Sequence, residues 1–155
     1  MTDGIHEVSS AGELAHVREL MQEYAASLHT DLCFQGFDRE LASLPGDYAR
    51  PDGFLLLAWH DGKAVGCVAL RKLHDGVAEL KRLYVRPNAR GLGFGGKLTR
   101  CVIGEARRAG YRSVVLDTLA DRTSAQNLYL RLGFRDIEAY YDNPIPGARY
   151  LRLDL

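Results

Sequence analysis

The chain reads as an α/β (α+β) protein, a single domain over 1–155 with a mixed, mostly antiparallel sheet of six to seven strands and helices on both faces. Three observations predict this. Three strand-length runs, Phe54 to His60, Ala64 to Leu73 and Val77 to Val85, are separated only by Asp61-Gly62 and His74-Asp75-Gly76, the turn chemistry of consecutive hairpins. Beyond Gly93 helical spacing alternates with short strand-like runs, so the later strands are joined by helical crossovers. No linker, internal repeat or low-complexity tract divides the 155 residues.

Taken in order, Ile5 to Val8 is a short strand. Ser9 or Ser10 caps a helix in which Leu14, Val17, Leu20, Met21 and Tyr24 recur on one face through about Leu28. The periodicity breaks from His29 to Gly36, a loop containing Asp31, Cys33 and Phe34. Phe37 to Leu44 forms a short second helix stopped by Pro45-Gly46. The three-strand meander follows, ended by Pro87. Leu98, Val102 and Ala106 then mark the apolar face of a helix that stops at Gly110. Ser113 to Asp117 is a strand, Thr123 to Leu132 a helix stopped by Gly133, Phe134 to Glu138 a strand, and Ala148 to Leu155 a terminal strand. The expected order is β-α-α-β-β-β-α-β-α-β-β.

Composition narrows the function classes. Twenty basic and twenty acidic side chains give a formal net charge of +0, which does not suit a nucleic-acid binder. The longest apolar run, Phe54 to Trp59, is far too short to span a bilayer, and the N-terminus has no signal-peptide pattern. Cys33, Cys67 and Cys101 stand apart without metal-ligand spacing. They are expected as reduced core thiols of a cytoplasmic protein. The five histidines show no metal pattern either, so no metal is expected. Trp59 and the Met21/Tyr24 stripe are core residues by pattern.

The most informative run is Arg90-Gly91-Leu92-Gly93-Phe94-Gly95-Gly96, between a strand and a helix. Glycines let a ligand approach the backbone closely, and a helix start offers unbonded N–H groups with the positive end of its dipole. Together they read as a cradle for phosphate or pyrophosphate. Gly91, Gly93 and Gly96 spell the dinucleotide fingerprint G-x-G-x-x-G, and Asp117, 26 residues past Gly91, lies near where a ribose-binding acid would sit. However, Arg86 to Arg90 separate the loop from its strand, and too few βα units follow for a dinucleotide fold. The run also spells R-x-x-G-x-G through Arg90, Gly93 and Gly95.

That signature, the element order and two further motifs resemble the GCN5-related N-acetyltransferase (GNAT) family over essentially the whole chain. The motifs are Ala125-x-x-Leu128-Tyr129-x-x-Leu132-Gly133-Phe134 and the pre-loop strand Glu79 to Pro87. Arg122 departs from the pattern, since many members have Asn there. The resemblance implies an enzyme that moves an acetyl group from acetyl-CoA to an amine, through a tetrahedral intermediate and without a covalent enzyme intermediate. It implies that the N–H groups of Gly91, Leu92, Gly93, Phe94, Gly95 and Gly96, with Arg90, bind the pyrophosphate of coenzyme A. A bulge in the strand at Leu83, Tyr84 and Val85 would free main-chain groups for the pantetheine arm and the thioester carbonyl. Tyr129 is then the expected donor to the departing thiolate. Glu79 is the candidate proton acceptor, against an equal expectation of an ion pair with Lys81, Arg82 or Arg71.

The acceptor site is expected between the His29 to Gly36 loop and Ala139 to Pro144. There Tyr140 and Tyr141 would give aromatic walls, and Asp142 or Asp31 would hold a cation. A compact chain favours a small-molecule amine. Members of the family often dimerise, so a homodimer is possible, although no residue here specifies an interface. A non-catalytic acyl-CoA sensor of the same fold, and a nicotinamide-dependent reductase, are the competing functions.

Overall fold

The computed structural model describes residues 3–28, 32 and 35–155, so Asp31, Cys33 and Phe34 of the expected acceptor loop lie outside the described residues. The elements occur in the expected order. They are β1 (Gly4–Glu7), α1 (Ala11–Ser27), α2 (Phe37–Ser43), β2 (Phe54–His60), β3 (Lys63–His74), β4 (Val77–Val85), α3 (Phe94–Arg108), β5 (Ser113–Thr118), α4 (Thr123–Arg131), β6 (Arg135–Asp136) and β7 (Arg149–Asp154). The seven strands form one sheet in the order β1-β2-β3-β4-β5-β7-β6. All neighbours are antiparallel except β4 and β5, which α3 joins as a parallel crossover.

Local chemistry accounts for the boundaries. Ser10 caps α1 by accepting from the Glu13 N–H at 3.2 Å, while the Glu13 carboxylate accepts from the Ser9 N–H at 3.0 Å. At the tip between β2 and β3, Asp61 (φ 51) and Gly62 (φ 74) are both left-handed, which matches the twist of the flanking strands. The strand expected over Phe134 to Glu138 shrinks to β6. Phe134 sits in the core, its ring centroid 5.4 Å from that of Tyr129, and the chain leaves the edge after Asp136 to carry Tyr140 and Tyr141 inward.

Each face of the sheet carries its own apolar layer. On one, Leu98, Val102, Ile103 and Ala106 of α3 and Tyr129 of α4 pack on Val68, Leu70, Leu80 and Leu116. On the other, Val17, Leu20 and Met21 of α1 and Phe37 of α2 pack on Leu55, Leu57, Trp59 and Ala69. Cys67 is a core residue of this second layer, and burial pushes its thiol up to about 12. Among the described residues, no helix is long and apolar enough to cross a membrane.

The irregularity that matters most lies in β4. Cys67 faces Tyr84 and Ala69 faces Lys81, so Val68 alone faces two residues, Arg82 and Leu83. This is a β-bulge, and Arg82 within it has φ 61, a region that side-chain-bearing residues rarely adopt. The buried Arg82 guanidinium is held by Glu40 of α2 through two hydrogen bonds of 2.9 and 2.8 Å, and lies 5.1 Å from the Phe37 ring centre. The Cys67 thiol donates to the Arg82 carbonyl at 3.4 Å. Burial alone would raise the Glu40 carboxyl pKa, but the hydrogen bonds and charge of Arg82 outweigh it and hold it below the usual value.

Removing one partner should therefore be worse than removing both. Glu40→Ala is expected to lose about 3–5 kcal/mol, and the Glu40→Leu/Arg82→Met pair distinctly less, by urea unfolding. Because the folded carboxyl pKa is depressed, Glu40 stabilises the protein above its unfolded pKa of about 4.3, and that contribution is lost as pH falls through the folded value. Glu40→Gln should flatten this acid limb. An unchanged limb would exclude the pair as its source.

Candidate active site

The cleft begins where two parallel strands part. β4 and β5 pair only through Val77, Ala78 and Glu79 with Ser113, Val114 and Val115. Beyond that point Leu116 to Thr118 of β5 pair only with β7, on their far side. From Leu80 to Val85 the β5-facing edge of β4 consequently has no strand partner. The bulge at Arg82 falls in this open stretch and turns the edge away from β5. The opening is a cleft of about 730 Å³, walled by β4, the start of α3, the end of β5 and α4.

The glycine loop sits at its mouth. Gly91 (φ 82) and Gly93 (φ 86) are left-handed, and nothing lies within 4 Å of where a Cβ would stand on either. Gly93 precedes α3 as its N-cap without a side-chain cap. The first helical bond is donated by Lys97 to the Gly93 carbonyl, so the N–H groups of Phe94, Gly95 and Gly96 have no partner within the helix. Arg90 and Arg100 line the same end of the cleft. Arg90 donates to the Val85 carbonyl at 2.9 Å, and its guanidinium lies 5.9 Å from the Tyr84 ring centre. Open backbone, unbonded helix-start donors and two guanidinium groups make a site for a doubly charged anion.

Helix α4 forms the opposite wall. Tyr129 lines the cleft while being almost wholly buried, and its hydroxyl has no hydrogen-bond partner among the described residues. Burial, then the fields of Tyr24 and Asp117, push its pKa well up, so the phenol stays protonated. Arg122, the N-cap of α4, reaches across to α1. It donates to Ser27 at 2.7 Å and lies 5.4 Å from the Tyr24 ring centre, leaving its buried Nε without a partner among the described residues.

With this geometry in view, the comparisons with known proteins are decisive. The profile of the acetyltransferase (GNAT) family matches residues 16–134. The chain belongs to this family. An uncharacterized N-acetyltransferase of Schizosaccharomyces pombe is 43% identical over 92% of this chain and 89% of its own length. An N-acetylaspartate synthetase of Xenopus tropicalis is 36% identical over 68% of this chain, which is 39% of that longer protein. Among solved structures, an N-acetyltransferase from Thermoplasma acidophilum in complex with coenzyme A superposes with a TM-score of 0.76. It is 18% identical and covers all of both chains, a likeness of fold. The protein is a GNAT enzyme, an N-acetyltransferase.

Most residues expected at the site of this acetyltransferase converge on one cleft. Leu83, Tyr84, Val85, Arg90, Gly91, Gly93, Phe94, Gly95, Gly96 and Tyr129 all line it. Leu92 is the exception in the loop, its side chain 52% exposed. Glu79 lies elsewhere than expected. It does not line the cleft, is 1% exposed, and accepts from Arg71 at 2.8 Å and from the Tyr140 hydroxyl at 2.6 Å. Glu79 thus forms the ion pair with Arg71, one of the three partners named for it from the sequence.

Several residues gain a role at the cleft that the sequence did not single out. Asp117 of β5 lines the cleft and accepts from the Tyr141 hydroxyl and, at 2.9 Å, from the Asn143 amide. Gln35 donates to the Tyr141 hydroxyl at 3.2 Å and accepts from Lys81 at 3.3 Å. Burial, then the Asp117 hydrogen bond, raises the Tyr141 pKa, so it remains a donor. Of the expected acceptor residues, Tyr141 lines a second cavity beside the cleft, Tyr140 backs it through Glu79, and Asp142 is exposed. For Arg82 a signal existed: two consecutive charges in Leu80-Lys81-Arg82-Leu83 break the alternation of a strand, as a bulge does.

Metal-ligand geometry occurs outside the cleft lining, beside Phe94. Asp3, His60 and Asp61 bring their ligand atoms within 4.8 Å of one another at the β2–β3 tip, where His60 is paired with Asp3 at 3.0 Å.

Substitutions in the loop should separate backbone strain from helix propensity. Gly93→Ala forces a Cβ into left-handed backbone and is expected to lose about 1–2 kcal/mol. Gly95→Ala, in helical backbone with Leu128 at an ordinary 3.8 Å, should be neutral or stabilise by up to about 1 kcal/mol. Urea unfolding measures both, and equal effects would refute the assignment of strain to Gly93.

Proposed function

We propose that the protein transfers the acetyl group of acetyl-CoA to the primary amine of a small molecule, directly and through a tetrahedral intermediate. The observation that carries this is the unpaired edge of β4, Leu80 to Val85, leading from a helix-start anion site to the buried Tyr129. In this reading the N–H groups from Gly91 to Gly96 and the Arg90 guanidinium hold the pyrophosphate. The pantetheine amides add to the free edge at Leu83, Tyr84 and Val85 as an extra strand would. A main-chain N–H of the bulge donates to the thioester carbonyl and stabilises the oxyanion as it forms. The coenzyme A complex of a structural relative and the family membership support the cosubstrate. A relative named for making N-acetylaspartate supports an acceptor of amino-acid size.

The chemistry then balances as follows. A neutral amine attacks the thioester carbon, the N–C bond forms, and the C–S bond breaks on collapse. The Tyr129 phenol donates a hydrogen bond to the departing sulfur. Burial holds that phenol well above the ordinary range of a thiol, about 8.5, so it stabilises the thiolate without surrendering its proton. The amine proton passes to Asp117, which lines the cleft, as Asp121 also does. Glu79 reaches the amine only through its Tyr140 hydrogen bond, and acts by holding Arg71 and Tyr140 in place.

Three variants test these roles. Tyr129→Phe should lower kcat by about 10²-fold with little change in coenzyme A affinity. Asp117→Asn should lower kcat/KM by about 10²-fold, whereas Glu79→Gln should lower it far less. A larger loss in Glu79→Gln than in Asp117→Asn would reverse the assignment. Unchanged kcat in Tyr129→Phe, with chemistry rate-limiting, would remove Tyr129 from the mechanism.

A further inference from the structure

Lys81 is a half-buried cation lining the cleft that has no ion-pair partner among the described residues. It stands on β4 between Glu79 and the bulge, and it lines both the 730 Å³ cleft and the adjoining cavity of about 560 Å³. Gln35 is the other residue that lines both, so the Lys81–Gln35 pair marks the doorway between them. Among the described residues, the carboxylates near it are already engaged. Glu40 is held twice by Arg82, Glu79 by Arg71 and Tyr140, and Asp117 by Tyr141 and Asn143. Among the described residues Lys81 has only the Gln35 amide oxygen, at a long 3.3 Å. Burial, then the charge of Arg82, lowers its pKa, and the more distant charges of Glu79 and Asp117 oppose the shift without cancelling it.

The second cavity extends this electrostatic bias. Its lining brings Arg39, Arg71 and Lys81 against Glu40 and Asp47. Glu40 is neutralised by Arg82 behind it, and Asp47 is 82% exposed and 3.9 Å from Arg71. Arg39, at the rim, has no ion-pair partner among the described residues. The carboxylates lining the neighbouring cleft, Asp117 at the end of β5 and Asp121 just beyond it, are on the β5 side. A bound molecule thus meets negative charge near the thioester end and positive charge at the doorway.

We propose that Lys81 is the counter-ion for a carboxylate on the acceptor, and that the acceptor is an amino acid-like zwitterion. Its amine points past Asp117 into the cleft, and its carboxylate meets Lys81 at the mouth of the second cavity. This rests on the acetyl-transfer reading and adds the substrate class. Lys81 determines specificity and does not touch the bond being broken. The second cavity is the room for the rest of the acceptor.

Matched acceptors test it on the whole protein. Thiol release from acetyl-CoA is measured with L-alanine beside alaninamide, β-alanine beside propylamine, and L-aspartate beside L-asparagine. The acid member of at least one pair should be favoured by about 10- to 100-fold in kcat/KM, the worth of one charge-assisted hydrogen bond. Lys81→Met should erase that preference by raising the acceptor KM while leaving the KM for acetyl-CoA alone, and Lys81→Arg should restore part of it. A wild-type preference for the uncharged members, or a Lys81→Met loss equal on both members, would overturn the assignment.

Succinate and glutarate binding to the coenzyme A-saturated protein, followed by calorimetry, gives a reading independent of turnover. Binding that weakens at least 10-fold in Lys81→Met supports the carboxylate site even if no amine is acetylated, in which case the transfer reading alone falls. Acetylated amines without carboxylate preference or dicarboxylate binding sink the Lys81 assignment and leave the transfer reading intact.

Discussion

At Arg82 the fourth strand adopts a left-handed conformation that costs a side-chain-bearing residue roughly 1–2 kcal/mol, and the surrounding contacts hold it there. Glu40 grips its guanidinium from α2, Phe37 lies against it, and the Cys67 thiol bonds its carbonyl from β3. The extra residue in the ladder tips the following stretch away from β5. Without it, β4 and β5 could go on pairing past Glu79, and the edge that faces the cleft would be consumed by the sheet. The acyl-binding edge is thus created by withholding strand partners, and α2 supplies the force that withholds them.

The charges of the interior are arranged around that opening. Arg82 answers Glu40, Arg71 answers Glu79, and Tyr141 with Asn143 answers Asp117. Tyr129 in the cleft and Tyr140 and Tyr141 beside it are all pushed upward, chiefly by burial, so hydroxyls around the site donate and carboxylates accept. Such a division suits a reaction that needs an oxyanion and a thiolate stabilised and one amine proton removed. Among the described residues Lys81 stands outside this pairing, as the proposed acceptor-carboxylate site requires.

The fold was legible because its signals are local. Asp61-Gly62 dictates a left-handed turn whatever surrounds it, and Leu98, Val102 and Ala106 recur at a spacing that only a helix puts on one face. The pre-loop strand, Val77 to Val85, and the start of α3 fell where turn and glycine chemistry put them. Where the local signal was weak, at Phe134 to Glu138, the tertiary structure shortened the strand, because Phe134 is drawn into the core and Tyr140 is drawn toward Glu79.

The site divides along the same line. The anion cradle was readable in the sequence because it is made of backbone, and glycine declares backbone use directly. Glu79 could be read as a base or an ion-pair partner, and only the fold brought Arg71 from the neighbouring strand and Tyr140 from 61 residues away onto its two oxygens. The same is true of Glu40 and Arg82, and of Gln35 and Lys81, 42 and 46 residues apart. Sequence by itself determined the order of elements, the glycine cradle and the family to which the chain belongs, since each is encoded over a few neighbouring residues. Which carboxylates line the cleft and which cations lack an ion pair among the described residues were decided by tertiary structure, because a charge is answered by whatever folding brings within about 3 Å.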